Sequence, residues 1–156
     1  MLFLHSASLL YEGKAWLFSG SSGTGKSTHT NLWHTLWGTP VLNGDLNLLA
    51  IKDGKPMIYG TPWCGTSGIS DSTSYPLGGV VLLKQASGER LETLSPDEQI
   101  IGLLQRIISS SDTCFSLCKN LEVIGEITKQ IPVFRLHCTK EPQAAIYMKE
   151  QIDALR

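Results

Sequence analysis

Residues 20–27 have the types and spacing of a phosphate-binding loop. They are GSSGTGKS, which satisfies G-x-x-x-x-G-K-[ST] between an apolar run and a helical pattern, a context that favours a real loop over a chance glycine-rich turn. Glycines let backbone N–H groups and the following helix N-terminus face phosphate oxygens. Lys26 is expected to neutralise β- and γ-phosphate oxygens, and the Ser27 hydroxyl is expected to coordinate Mg²⁺. The residues expected to contact a nucleotide are Gly20, Ser22, Gly23, Thr24, Gly25, Lys26, Ser27 and Thr28.

Asp45 is the acidic residue whose position suits work beside this loop. It ends the short apolar strand after the loop's helix, so its carboxylate is expected at the carboxyl edge of the sheet, where α/β proteins bind ligands. There it can hold Mg²⁺ through water or accept a proton from an attacking hydroxyl. Because Asn43-Gly44-Asp45 is also good turn chemistry, a turn aspartate is the alternative. The order of elements, which brings Asp45 beside Lys26, favours the functional interpretation.

Three of the four histidines, and the four cysteines, are predicted to have structural roles. His29 and His34 fall on the helix after the loop, where surface positions are expected, and His137 lies on a late apolar strand. Cys114 and Cys118 are one helical turn apart, but no second pair at ligand spacing completes a zinc site. The four cysteines are therefore predicted to be buried free thiols.

The surrounding pattern is that of an α/β protein. Strands are expected over residues 2–10, 15–19, 40–43, 77–84 and 133–138, and a hairpin over 46–51 and 56–59 with Asp53-Gly54 at its turn. Helices are expected over 26–36, from the Ser95 cap to 108, over 115–129 and over 142–155. No repeat or linker interrupts this order, so one domain spanning residues 1–156 is predicted.

A long loop is predicted over residues 60–76, GTPWCGTSGISDSTSYP, which has no periodicity and is rich in Gly, Ser, Thr and Pro. Loops of this length in small domains are often functional or mobile. Trp63 is suited either to stack on a ligand or to anchor the loop. Cys64 has no flanking base that would lower its pKa, so a small loop residue is expected rather than a reactive thiol.

The composition gives no sign of binding that depends on a large net charge of the protein. The 156 residues are 42% hydrophobic and 17% charged with a net charge of −1, which gives no electrostatic reason to expect nucleic acid or an anionic membrane. The opening MLFLHSASLL lacks a basic segment and is too short to span a bilayer, so it predicts a strand rather than a signal peptide. Reduced cysteines beside a nucleotide motif predict a cytoplasmic location.

Several residue stretches together resemble a known family. An antiparallel strand precedes the loop and no arginine lies in the long loop, which argues against nucleoside monophosphate kinases with arginine-rich lids. LFSGSSGTGKST after a strand bearing His5, then LNGD, then GTPWCGTSG, resembles the C-terminal domain of HPr kinase/phosphorylase and its small relatives, a group related to phosphoenolpyruvate carboxykinases. The likeness covers residues 2–83 in order, and more weakly the remainder. It implies a P-loop nucleotide-binding α/β fold, with a mixed sheet and flanking helices.

The resemblance also implies roles for individual positions. His5, otherwise a candidate core histidine, would lie near the γ-phosphate and the acceptor, and Asp45 would match an acidic pair that supplies base and metal ligand. Here that pair is Gly44-Asp45, so one carboxylate is absent. The loop over residues 60–68 would close over the acceptor, through Trp63, Gly65, Thr66, Ser67 and Gly68.

These expectations converge on phosphoryl transfer that depends on ATP and Mg²⁺. The γ-phosphoryl would move to a hydroxyl, such as a serine of a peptide or a small molecule, with Asp45, Lys26 and His5 as catalytic residues and Ser27 and Asp45 at the metal. A nucleotide-binding regulatory module with little catalysis is the alternative, motivated by the missing carboxylate. A carboxykinase-like enzyme is the third possibility, and it needs several arginines facing the site. Relatives form hexamers, so self-association is plausible.

Overall fold

The computed structural model describes residues 1–21, 23–60, 73–108 and 114–155. Within these ranges the chain forms a mixed sheet with flanking helices, as predicted. The described strands are β1 (Leu2–Tyr11), β2 (Lys14–Ser19), β3 (Val41–Asn43), β4 (Leu46–Lys52), β5 (Lys55–Tyr59), β6 (Ser74–Gln85), β7 (Arg90–Thr93), β8 (Ile107–Ile108) and β9 (Val133–Cys138). The described helices are α1 (Lys26–Trp37), α2 (Pro96–Leu104), α3 (Cys114–Gln130) and α4 (Pro142–Asp153).

The long strands β1 and β6 tie the sheet together because each changes partners along its length. β1 pairs antiparallel with β4 over its first residues and with β2 over the rest. β6 begins antiparallel to β5 and then runs parallel to both β2 and β9. The carboxyl ends of β2, β6 and β9 therefore meet at one edge of the sheet, which is the edge where the phosphate loop begins.

The core lies on both faces of this sheet. Leu17 of β2 packs in a cluster with residues of α2 and α3, whereas its neighbours Trp16 and Phe18 pack in a second cluster with α1 and α4. This alternation follows the two-residue side-chain period of a strand. We call the two sides the α2–α3 face and the α1–α4 face.

Local signals in the sequence account for several element ends. Asp53 and Gly54 have φ values of 52° and 76°, which the tight β4–β5 turn requires. Ser95 caps α2: its hydroxyl accepts from the Glu98 N–H, and the Glu98 carboxylate accepts from the Ser95 N–H at 2.9 Å. These features confirm the predicted hairpin and the predicted helix start.

Two predicted boundaries were wrong, and one strand was not predicted. The helix expected to reach residue 108 ends at Leu104, because Ile107 and Ile108 instead pair with β1 as β8. β7, which pairs with β9, was not predicted. The strand expected from residue 77 begins at Ser74, where it pairs with β5, so the predicted loop 60–76 is shorter at its C-terminal end. In each case strand pairing decided the conformation, and such pairing leaves little local signal.

Within the described ranges, none of the helices combines the length and the apolar character needed to cross a bilayer.

Candidate active site

The phosphate loop leaves β2 and enters α1 through backbone that only glycine suits. At Gly20 a Cβ atom would lie 2.4 Å from Thr24 Oγ1 and 3.1 Å from the Leu83 carbonyl oxygen. Gly25 caps α1 with φ of 97°, and the aliphatic part of Lys140 lies against it, 3.2 Å from where a Cβ would stand. The strand–loop–helix context predicted for a phosphate loop is therefore present.

The loop is held by bonds to itself and to β6. Thr24 Oγ1 donates to the Ser21 carbonyl at 2.8 Å, and Gln85 Nε2 donates to the Gly23 carbonyl at 2.8 Å. Gln85 is the last residue of β6, so this bond fixes the position of the loop relative to the end of the neighbouring parallel strand. Such preorganisation lowers the ordering cost of binding a phosphate.

Lys26 folds back over the loop. Its Nζ lies 3.3 Å from the carbonyl oxygen of Gly20 and 3.5 Å from that of Ser21. Burial lowers the pKa of Lys26, the nearby Arg106 guanidinium lowers it further, and Asp45 acts in the opposite direction. Arg106 and Asp45 therefore lie close enough to Lys26 to influence its charge.

Ser27 and Thr28 lie exposed in the first turn of α1. The Ser27 hydroxyl donates to the Gly44 carbonyl at 3.3 Å. This contact joins the start of α1 to the turn that carries Asp45, so the two residues predicted to hold a metal lie at the same place. Among the described residues, no hydrogen bond of the Thr28 side chain specifies a role for it.

His5 and Asp45 form a pair beside the loop. His5 Nε2 lies 2.9 Å from Asp45 Oδ1, and about a third of each side chain is exposed. The β1–β4 register, in which His5 faces Leu46, brings them together across 40 residues of sequence. The sequence left His5 open between a core residue and a site residue, and the structure places its ring against Asp45, in a cleft that it shares with Gly20 and Ser21.

The turn around Asp45 is held by Asn43 rather than by Asp45 itself. Asn43 Oδ1 accepts the backbone N–H groups of Asp45 and Leu46, at 2.9 Å and 3.0 Å. The Asp45 carboxylate is then available to contact His5. The turn chemistry recognised in the sequence and the pairing of Asp45 with another side chain are thus both present.

Arg106 is the residue near this site that sequence reasoning missed. Its backbone carbonyl accepts the His5 N–H at 2.9 Å, just before β8. Its side chain shares a cleft with His5, Gly20 and Ser21. The sequence carried no signal for this position, because the helix predicted through residue 108 would have directed Arg106 by helical spacing instead of by pairing with β1.

Several predicted site residues lie outside the described part of the chain. They are Ser22 of the phosphate loop and Trp63, Gly65, Thr66, Ser67 and Gly68 of the expected acceptor loop. Their expected roles remain predictions.

The histidines on α1 and β9 divide between correct and wrong predictions. His29 was expected on the helix surface, but it is 2% exposed, and its Nε2 accepts the Trp33 indole N–H at 3.1 Å. Burial lowers the pKa of His29 to about 3, so the ring is neutral. His137, expected to be structural, lies on β9 with Nε2 2.7 Å from the Glu92 carboxylate.

The prediction of buried thiols holds for Cys138 and is wrong for Cys114 and Cys118, which are exposed. Those two occupy the first turns of α3, whereas its buried residues lie further along, at Ile124 and Ile127. Burial first, and the charge of Glu89 second, raise the pKa of Cys138 to about 11. Across the described residues no cluster of His, Cys, Asp and Glu side chains is arranged to hold a metal ion.

The comparisons with known proteins bear on the fold. No family model and no curated protein sequence matches the chain. A solved structure of the Hpr(Ser) kinase/phosphatase from Coxiella burnetii matches it with a TM-score of 0.57, over 100% of this chain and 97% of that one. The identity is 13%, so the likeness is one of fold. The resemblance drawn from the phosphate loop, LNGD and GTPWCGTSG is confirmed at that level: this chain has the fold of an HPr kinase.

Proposed function

We propose that the protein is a phosphotransferase that moves the γ-phosphoryl group of ATP to a hydroxyl group of an acceptor. The observation that carries this proposal is the His5–Asp45 pair, joined to the start of α1 by the contact between Ser27 and Gly44. A carboxylate that can orient a hydroxyl and accept its proton, beside a phosphate loop, is a recurring arrangement in phosphoryl transfer to a hydroxyl. The kinase named in the structural comparison supports the same class of reaction.

The residues present fit a bound Mg²⁺–ATP. The loop turns where a Cβ at Gly20 would collide with Thr24 and where Gly25 has a positive φ, and the Lys26 ammonium folds back over this turn. Ser27 and Asp45 supply the hydroxyl and carboxylate oxygens that Mg²⁺ prefers. When bound, the metal would neutralise charge on the phosphate oxygens.

The chain's own residues then have distinct tasks. Asp45 accepts the proton of the acceptor hydroxyl as its oxygen forms a bond to the γ-phosphorus and the bond to the β–γ bridging oxygen breaks, which leaves ADP and the phosphorylated acceptor. The His5 ring N–H donates to Asp45 Oδ1 and so holds the carboxylate in position. Lys26 and the loop N–H groups neutralise the charge that develops on the phosphoryl oxygens.

The first test compares three variants of the full chain. Asp45→Asn keeps the shape but cannot accept the proton, so we expect transfer to fall roughly 10²- to 10⁴-fold with ATP affinity nearly unchanged. Lys26→Ala removes about 1.5–3 kcal/mol of charge-assisted hydrogen bonding, so we expect affinity to fall roughly 10- to 100-fold. Asp53→Asn, in the β4–β5 turn, is the matched control and should match the wild type.

ATP binding is measured by calorimetry, and transfer by release of ADP with a panel of hydroxyl acceptors. Undiminished transfer by Asp45→Asn would contradict the role of Asp45 as base. The single carboxylate in Gly44-Asp45 favours a second candidate, a nucleotide-binding module with little catalysis. Tight binding of ATP with no turnover that depends on any acceptor would select that candidate.

A further inference from the structure

A cavity of about 460 Å³ opens between the phosphate loop and the end of α2. Ser21 and Thr24 of the loop form one wall, and Gln105 after α2 forms another. Lys84, near the end of β6, and Arg135, within β9, complete it. The cavity therefore lies on the α2–α3 side of the loop.

The side chains around this cavity are cationic. Lys84, Arg106 and Arg135 line it, and among the described residues no acidic side chain does. The chain as a whole carries a net charge of −1, so the concentration of positive charge is local. Three like charges around one space repel each other unless an anion lies between them.

Arg135 is only partly neutralised by its acidic neighbour. Its Nη1 lies 3.4 Å from each oxygen of the Glu92 carboxylate, longer than the roughly 2.7–2.9 Å of a strong charge-assisted bond. Glu92 makes its shorter contact, 2.7 Å, with His137. Because a guanidinium carries about five N–H donors, Arg135 keeps donors for another acceptor.

Arg106 lines the same cavity. Its Nε is buried and has no hydrogen-bond partner in the described part of the chain. The bond from the His5 N–H to the Arg106 carbonyl fixes the backbone that carries this side chain. Because that Nε is buried, the donors that Arg106 can offer to a ligand in the cavity are its other guanidinium N–H groups, and an oxyanion is the ligand that these satisfy best.

The cavity adjoins the proposed reaction centre. Ser21, Gln105 and Arg106 also line the neighbouring cleft of about 290 Å³ that contains His5. A molecule with a hydroxyl group at the His5–Asp45 pair can therefore extend past Arg106 into the cavity. The triphosphate has its own ligands in Lys26, Ser27 and the loop N–H groups, so the cavity offers a second place for negative charge.

We propose that the cavity binds a carboxylate or phosphate group of the acceptor, held by Arg106 and Arg135 with Lys84 at its edge. The anion site stands on the geometry alone, and only its assignment to the acceptor rests on the proposed phosphotransferase. The acceptor is then an acidic molecule with a hydroxyl group, such as a hydroxy acid, a sugar phosphate or a serine beside an acidic residue. Bidentate contacts to its oxyanion orient the hydroxyl and discriminate against neutral acceptors.

The anion site is tested with inorganic phosphate as the probe. The full chain is saturated with Mg²⁺ and a non-hydrolysable ATP analogue, and the ¹H–¹⁵N signals of the arginine Nε groups are followed as phosphate is added. We expect the Arg106 and Arg135 signals to shift saturably. Arg106→Gln or Arg135→Gln should each weaken phosphate binding at least tenfold, whereas Arg90→Gln, an exposed arginine of β7, should leave it unchanged.

Signals that stay fixed once the analogue is bound would overturn the proposal, because phosphate would then bind in the loop only. Equal weakening by Arg90→Gln would overturn it too, since the attraction would be unspecific. The same titration of Lys26→Ala without nucleotide reports on the cavity when the loop is impaired. If phosphate binds there but no acceptor is ever phosphorylated, the anion site stands and the proposed function fails.

Matched acceptors test the assignment to the acceptor. Each acid is paired with its neutral form: a hydroxy acid with its amide, a sugar phosphate with the free sugar, and a Ser-Glu peptide with Ser-Gln. We expect at least tenfold higher kcat/KM for the acidic member of the pair that fits, and loss of that preference in Arg135→Gln. Transfer with equal kcat/KM to acid and neutral forms would sink the assignment while the proposed function stands.

Discussion

His29 shows how one buried polar residue makes the stability of the fold depend on pH. Burial lowers its pKa to about 3, against 6.5 for a free histidine, so between these values the unfolded chain binds a proton that the folded chain does not. The free energy of unfolding therefore falls as pH falls below 6.5. Each pH unit of this window costs up to about 1.4 kcal/mol, and we expect about 2 kcal/mol of loss between pH 8 and pH 5.

Urea unfolding of the wild type and of His29→Gln at pH 8, 6 and 5 measures this effect. Glutamine supplies an amide oxygen for the Trp33 indole N–H without a titrating group, so the variant should lose most of this pH dependence. Equal slopes in the two proteins would contradict the assignment. So would a His29 ring signal that titrates between pH 5 and pH 7 in NMR spectra.

At the scale of single residues, spacing in the sequence predicted the positions of those residues that the local backbone places. The glycines, Lys26 and Ser27 are adjacent in sequence, so their strand–loop–helix arrangement could be predicted. Arg106 could not, because pairing between β8 and β1 brings it to the loop from across the chain. His29 was misplaced because a polar residue at helical spacing indicates a surface, whereas here the ring packs against Phe18 with centroids 4.5 Å apart.

Helix α2 connects the core to the cationic cavity, and Gly102 controls how closely it approaches the sheet. A Cβ at Gly102 would lie 2.5 Å from Leu82 Cδ1, whereas a Cβ at Gly125 of α3 would meet no atom within 4 Å. Both glycines lie inside helices, where alanine gains roughly 0.5–1 kcal/mol by propensity. We expect Gly125→Ala to raise the free energy of unfolding by that amount. Gly102→Ala should gain less or lose stability, because Leu82 must rotate within the core.

Urea unfolding of the two variants against the wild type separates packing from propensity, because the chemical change is identical. An equal gain in the free energy of unfolding in both variants would show that the Leu82 side chain can rotate without loss of stability. Gly102 also lines the cavity, so a shift of α2 in Gly102→Ala is expected to weaken phosphate binding there, with Gly125→Ala as the control.

Elements with strong local chemistry were predicted correctly, and those made by pairing were not. Asp53-Gly54 and the Ser95 cap each carry their own turn or helix signal, so the hairpin and the start of α2 could be predicted. β7 is short and half-exposed and exists because it pairs with β9, which the sequence does not display locally. The end of α2 belongs to the same class, since β1 competes for Ile107 and Ile108.

Across the whole molecule, the same strands support both faces of the core. Leu17 faces α2 and α3 while Trp16 and Phe18 face α1 and α4, and β6 alternates in the same way through Leu82 and Leu83. Loss of packing on one face therefore frees strands that the other face needs. The likeness to the Coxiella burnetii structure spans the full length of this chain and therefore includes both faces.

This sharing predicts that the two faces unfold in one transition. Trp16 and Trp33 are buried on the α1–α4 face, so their fluorescence reports that side, whereas Leu103 is 2% exposed on the α2–α3 face. Leu103→Ala should cost about 2–5 kcal/mol through lost burial and a residual cavity. Because the strands are shared, we expect the fluorescence midpoint and the far-UV circular dichroism midpoint in urea to fall together.

Leu155→Ala is the control, because that side chain is 53% exposed and its loss should move neither midpoint. If Leu103→Ala lowers the circular dichroism midpoint and leaves the fluorescence midpoint in place, the faces unfold separately. The phosphate loop would then lie between two units of different stability, since it starts on β2 beside both clusters. Coincident midpoints mean instead that a core substitution on either face lowers the population of folded phosphate loop by the same factor that it lowers global stability.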